Sequence, residues 1–258
     1  MMQMLRHVRL IALREFQLLL LTPIFWVISG VFFFASSLVF TGLLIGFSNP
    51  EMRQQENISA DVTISVVQQL FWVIHYFLMI QIPLLTMRSF AEERRARASQ
   101  LMQTLPVSDW GQVLGKWLGS LAAFSLYLVL NLMFPAILHF LSEPSWLVIG
   151  GSFLALFLGC AAYLAIGLFF SSLTDSQVVA AVLSYVFLFG LMILASLAEA
   201  FSIGPLIEFS KHLTILPHID PLLEGLLRVE DFTYFILLTG FFLFLTVRQL
   251  ESQRWRNS

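Results

Sequence analysis

EERRARASQLMQTLPVSDWGQVLGK, residues 92–116, is the most densely charged stretch in an otherwise apolar chain. Long apolar runs flank it, and Pro106 interrupts it. On a helix, Ala98, Leu101, Met102 and Leu105 stand at i, i+3, i+4 and i+7 and form one apolar stripe. Arg94, Arg95, Arg97 and Gln103 take the other faces. Glu93 and Arg97 are four apart in the order that favours an ion pair. So short a helix is marginal alone in water, and the stripe therefore implies a groove on a partner. Pro106 stops it, and Ser108 or Asp109 is placed to cap the helix that follows. The pattern predicts a short amphipathic helix between two membrane helices. The same charges also suit a plain loop that pins topology.

Working outward, hydrophobic residues make up 58% of the 258 and charged residues only 12%, with a mean hydropathy of +0.84. A soluble domain carries about twice that charge. Apolar segments long enough to cross about 30 Å of hydrocarbon recur along the whole chain. The expected fold class is an all-α polytopic membrane protein with six transmembrane helices. The single cysteine, Cys160, lies in an apolar run, which excludes an intrachain disulfide and metal clusters of paired cysteines. Arg6, Arg9 and Arg14 precede an apolar run too long for a signal peptide and without a convincing cleavage site. That run reads as an uncleaved first span.

Residues 1–22 predict an amphipathic interfacial helix. Met4, Leu5, Val8, Ile11, Ala12, Phe16 and Leu19 keep helical spacing, while Arg6, His7, Arg14 and Gln17 fall mainly elsewhere. A frayed extension of the first span is the plainer alternative. Spans are expected at roughly 23–46, 66–87, 110–140, 146–170, 178–200 and 232–247. The polar loop 48–61 contains Asn57-Ile58-Ser59, a glycosylation triplet of a kind that arises by chance. Residues 142–145 make a tight turn and 171–177 a short loop. Residues 201–231, with Pro205, Pro217 and Pro221, are too polar to cross and too apolar to hang free. A partly re-entrant or interfacial segment on the outer face fits them. The basic tail RQLESQRWRNS follows the last span.

Six spans put the N-terminus, residues 88–116, the 171–177 loop and the C-terminus on one side. Of the fourteen lysines and arginines, eleven fall there: Arg6, Arg9, Arg14, Arg88, Arg94, Arg95, Arg97, Lys116, Arg248, Arg254 and Arg256. Arg53, Lys211 and Arg228 fall on the other. The bias predicts cytoplasmic termini and a cytoplasmic 88–109 region.

No GxxxxGK[ST], GxSxG, HExxH or CxxC occurs, so no catalytic residue, cofactor or metal is expected in this chain. His75 and His139 are isolated and suit packing or hydrogen bonding better than catalysis. His212, His218 and Asp220 lie near each other, but lack thiols and a regular ligand spacing. The span interiors are nearly free of the ionisable groups that an ion-coupled carrier needs near the midplane. Gln81, Asn131, Tyr163 and Tyr185 either line a path or bridge helices. Energy for any transport must then enter from outside the membrane, while a passive pore remains open.

Three separated stretches resemble the permease subunits of ABC-2-type transporters. They are TMRSFAEERRARASQLMQTLPVSDWGQVLGKWLG (86–119), FFSSLTDSQVVAAVLS (169–184), and the segment from Phe209-Ser210-Lys211-His212 through Gly225 and Asp231-Phe232-Thr233-Tyr234-Phe235 to LESQRWR. The likeness looks closest to gliding-motility permeases and to the permease of a nitrous-oxide-reductase maturation system. It implies that the whole of 1–258 is a single ABC-2 type transmembrane domain. It also implies an inner-membrane half-transporter that pairs with a second copy or a related permease. Two copies of a separate ATP-binding subunit would hold the ATP and Mg. The implied coupling interface to that ATPase comprises Glu92, Glu93, Arg94, Arg95, Arg97, Leu101, Met102, Leu105 and Pro106, with Thr174 and Gln177 as a second contact. A periplasmic accessory protein fits the small outer loop, and no nucleic-acid partner is expected. Export driven by the separate ATPase is the expected function. The alternative is an assembly or mechanotransmission module that moves no solute.

Overall fold

The computed structural model of the chain describes residues 2–49, 63–95, 108–201 and 212–257. The described residues are helical almost throughout. Helix α1 (Met2–Leu21) ends at Thr22, which is extended, and Pro23 opens α2 (Pro23–Ser48), where its missing N–H costs nothing. A π-helical turn, Thr63–Gln68, leads into α3 (Gln69–Thr86), and α4 (Ala91–Arg95) follows a short unwound turn. Ser108 caps α5 (Asp109–Asn131), its hydroxyl accepting from the Gly111 N–H at 3.2 Å. The helix breaks at Leu132 before α6 (Met133–His139), because Pro135 cannot donate to the Asn131 carbonyl. The Asn131 amide instead donates to the Tyr127 carbonyl, 2.8 Å away. Then come α7 (Trp146–Leu173), α8 (Gln177–Ala200), α9 (Leu216–Leu223) and α10 (Val229–Asn257).

Six stretches are long and apolar enough to cross a membrane: Pro23–Ser48, Val66–Arg94, Asp109–His139, Trp146–Leu173, Gln177–Leu197 and Val229–Gln253. They match the expected spans closely, with two differences. The second runs on to Arg94, so the charged stretch begins within the helical unit rather than after it. The last helix continues to Asn257 where a tail was expected. Nothing in 248–257 breaks a helix, and Arg248 pairs with Glu251 one turn on, at 2.9 Å.

The bundle is built around α7. Helices α3, α5, α8, α9 and α10 all pack on it. Its segment Gly159-Cys160-Ala161-Ala162-Tyr163-Leu164-Ala165-Ile166-Gly167-Leu168 is buried on every face, and its small residues let neighbours come close. A Cβ on Gly167 would strike Thr86 of α3. Helix α9 seats on the first turns of α7: Ser152 donates to the Leu223 carbonyl at 3.0 Å, and Gly225, at φ 80°, lies against Val148 and Gly151. Residues 202–211 of the segment between α8 and α9 lie outside the described residues, as do the 50–62 loop and its Asn57 triplet. By contrast, α2 and α8 keep broad apolar faces open, among them Val27, Val31, Phe34, Val182, Val186 and Ile193.

The polar side chains within the spans tie helices together. Gln81 donates to Ser29 at 2.6 Å and joins α3 to α2. The Tyr163 hydroxyl lies 3.2 Å from His75 Nε2 and joins α7 to α3, and Tyr185 donates to the Ile80 carbonyl at 2.6 Å. His139 packs edge-on against Trp146.

Candidate functional site

Charge gathers at one end of the bundle, where α1, α4, the start of α5, the end of α7 and the end of α10 meet. Helix α1 lies along α5. Its inward stripe is Val8, Ile11, Ala12, Glu15, Phe16 and Leu19, so one carboxylate sits on an otherwise apolar face. Helix α5 answers with glycines one turn apart. A Cβ on Gly115 would lie 2.7 Å from the Ile11 side chain, and one on Gly119 would lie 2.5 Å from the Ala12 carbonyl oxygen. The backbones therefore touch, as small residues four apart allow.

Between these glycines Lys116 points inward and is only 4% exposed. Its ammonium stands 2.8 Å from Glu93 Oε1 and 3.7 Å from Glu15 Oε2. It also donates to the Ser89 carbonyl and rests 4.8 Å from the centre of the Phe90 ring. The Ser89 hydroxyl donates to Glu15 Oε1 at 3.3 Å. One buried cation thus holds α1, the turn before α4 and α5 together. A buried charge survives only with such partners.

A second set of contacts ties α4 to α7. The Ser171 hydroxyl donates to the Met87 carbonyl at 3.0 Å and accepts from the N–H groups of Phe90 and Ala91 at 3.1 and 3.2 Å. It thereby satisfies backbone groups that the unwound turn leaves open. Arg94 Nε meets Asp175 Oδ1 at 2.8 Å, while its Nη1 donates to the Ser172 carbonyl. Gln253 of α10 donates to the same carbonyl at 3.1 Å.

Of the residues expected to contact an ATPase, Glu92 is exposed, Glu93 and Arg94 are engaged as described, and Arg95 ends α4. Thr174 accepts from the Ser176 N–H at 3.2 Å in the loop before α8, and Gln177 opens that helix. Arg97, Leu101, Met102, Leu105 and Pro106 lie outside the described residues. The structure brings Arg94 to the 174–177 loop. Sequence reasoning missed Glu15, Ser89, Ser171 and Gln253, and counted Lys116 only for topology. The signal was present for two of them: an acid on the apolar stripe of α1, and a lysine framed by Gly111, Gly115 and Gly119.

At the opposite end, His218 Nδ1 lies 2.8 Å from Asp231 Oδ1 and its ring stacks on Tyr234. Burial raises the Asp220 carboxyl above its ordinary range, Glu224 adds to this, and a hydrogen bond from Trp72 opposes it. Among the described residues no three His, Cys, Asp or Glu side chains converge as a metal site would need.

Comparison with the curated proteins finds no match. The sequence profile described as ABC-2 family transporter protein matches residues 49–247, well over half of the chain and nearly all of it beyond the first span. On that match the chain belongs to the ABC-2 family of transporter proteins, as a membrane permease component.

Proposed function

We propose that this chain is the membrane-spanning subunit of an ATP-driven exporter, paired with a second copy of itself and driven by two copies of a separate ATPase. Family membership implies an ATP-binding partner and a membrane location, and such permeases typically lack an ATPase domain of their own. In this reading ATP and Mg bind to the partner. The eleven-to-three charge bias supports an inner-membrane orientation with both termini and the 88–109 region in the cytoplasm. Likeness in 86–119 and 169–184 favours the gliding-motility and nitrous-oxide-reductase-maturation branch.

One observation carries the reading: the Arg94–Asp175 pair joins the two segments, 92–106 and 174–177, that are proposed to meet the ATPase. A push on either would reach α5 through Glu93–Lys116 and α7 through Ser171 and Ser172. Leu101, Met102 and Leu105 would provide the apolar grip, with Arg95, Arg97, Pro106, Thr174 and Gln177 around it. The second reading, a mechanotransmission or assembly module, draws on the internal cavity beside His75 and Tyr163. Its ≈ 20 Å³ gives room for about one water molecule.

Co-purification with a co-expressed ATP-binding subunit tests the coupling assignment. Leu101→Asp with Leu105→Asp should abolish association while the permease still inserts and elutes as a single species. Undiminished association of that variant would refute it. Stimulation of the complex's ATPase by a candidate cargo then favours transport over mechanotransmission.

A further inference from the structure

Beside the Lys116 cluster, α1, the start of α2, the end of α3 and α5 enclose a cleft of ≈ 360 Å³. Its lining is mixed: Arg14, Glu15, Arg88, Glu92, Glu93 and Lys116 share it with apolar side chains of α1, of the first turn of α2 and of the last turn of α3. Three cations thus face three anions. Glu93 and Glu15 are committed to Lys116. Arg14, Arg88 and Glu92 make no ion pair among the described residues, and Arg88 Nε is buried with no hydrogen-bond partner there. Two guanidiniums and a carboxylate therefore line this cleft without an ion pair among the described residues. Exposed apolar side chains at its rim, Leu18 at 48% and Ile24 at 39%, ask for a hydrocarbon cover.

We propose that this cleft binds the headgroup of a zwitterionic aminophospholipid, its phosphodiester on Arg14 and Arg88 and its ammonium on Glu92. Guanidinium forks suit phosphate oxygens, and a carboxylate suits a three-donor ammonium. The exposed Leu18 and Ile24 side chains of the lining select a lipid over a free phosphate ion, because an ion leaves them uncovered. The balanced charge selects a zwitterionic head over an anionic one, whose unmatched charge would face Glu15, Glu92 and Glu93. A lipid seated there braces α1 against the turn between α3 and α4. The site serves the junction without requiring any particular ATPase or cargo.

Native mass spectrometry of the full chain, released from nanodiscs of equal phosphatidylethanolamine and phosphatidylglycerol, reads the site directly. The wild type should retain one phosphatidylethanolamine per chain in preference to phosphatidylglycerol. Arg14→Gln and Arg88→Gln should each lower that retention about tenfold, the factor that about 1.4 kcal/mol represents. Arg14 is exposed on α1, so its variant keeps the fold even if the Arg88 variant does not. Equal retention by wild type and Arg14→Gln overturns the proposal. Equal retention of both lipids refutes the zwitterionic assignment, and release of the lipid by millimolar inorganic phosphate identifies a free-anion site instead.

Discussion

Lys116 brings a full positive charge to a position 4% exposed, and the two acids beside it come from different helices. Removing one member of such a buried group leaves the others unpaired, which costs about 3–5 kcal/mol, whereas replacing the whole group by neutral residues can cost little. Lys116→Met should therefore lower the unfolding midpoint sharply in detergent. Adding Glu15→Gln and Glu93→Gln to it should restore most of the loss. A triple variant no more stable than the single one would show that the cluster is not one electrostatic unit. The Arg94–Asp175 pair belongs to another regime. Asp175 is 67% exposed, and exposed pairs contribute about 1 kcal/mol or less. Its importance lies in where it holds α4.

For the elements, the packing of α1 against α5 turns on the absence of two side chains. At Gly119 a methyl group would lie 2.5 Å from the Ala12 carbonyl oxygen and 2.8 Å from Glu15 Cβ, and neither atom is the free end of a flexible chain. Gly119→Ala must push α1 away, at about 1–3 kcal/mol for an overpacked contact. It should also loosen Glu15 from Lys116, so α1 becomes more open to protease in the folded protein. Gly190 of α8 is the control, since a Cβ there meets nothing within 4 Å. Gly190→Ala should leave both the midpoint and the cleavage pattern unchanged. If the two alanine variants behave alike, the close approach at Gly119 is not what seats α1.

In the molecule as a whole, α7 is the axis on which α3, α5, α8 and α10 pack, while α2 lies against α3. Its buried middle contains Cys160, fully enclosed by neighbouring helices. N-ethylmaleimide should leave Cys160 unmodified in the folded protein and label it fully after denaturation in SDS, with the mass shift read by intact-protein mass spectrometry. Rapid labelling of the folded protein would mean that the axis is open. The wide apolar faces of α2 and α8 lie at the outside of this arrangement, where lipid or a second copy would cover them.

The six spans and the charged end were legible in the residues alone, because each span needs only a local run of apolar side chains, and the charge bias follows from the order of the loops. The proline that opens α2 and the Ser108 cap belong to that local chemistry too, whereas the break near Pro135 fell within 110–140, which read as one continuous span. Only the tertiary structure showed that Glu15 and Lys116 share a site, that Ser171 completes the backbone of the turn before α4, or that Tyr163 reaches His75. Those contacts join residues far apart in the chain. They depend on which helices touch and at what register, and hydrophobic periodicity reports how strongly a face seeks burial without saying against what. Glu15 on the stripe of α1 carried a signal that the periodicity passed over, and packing alone decided which cation would answer it.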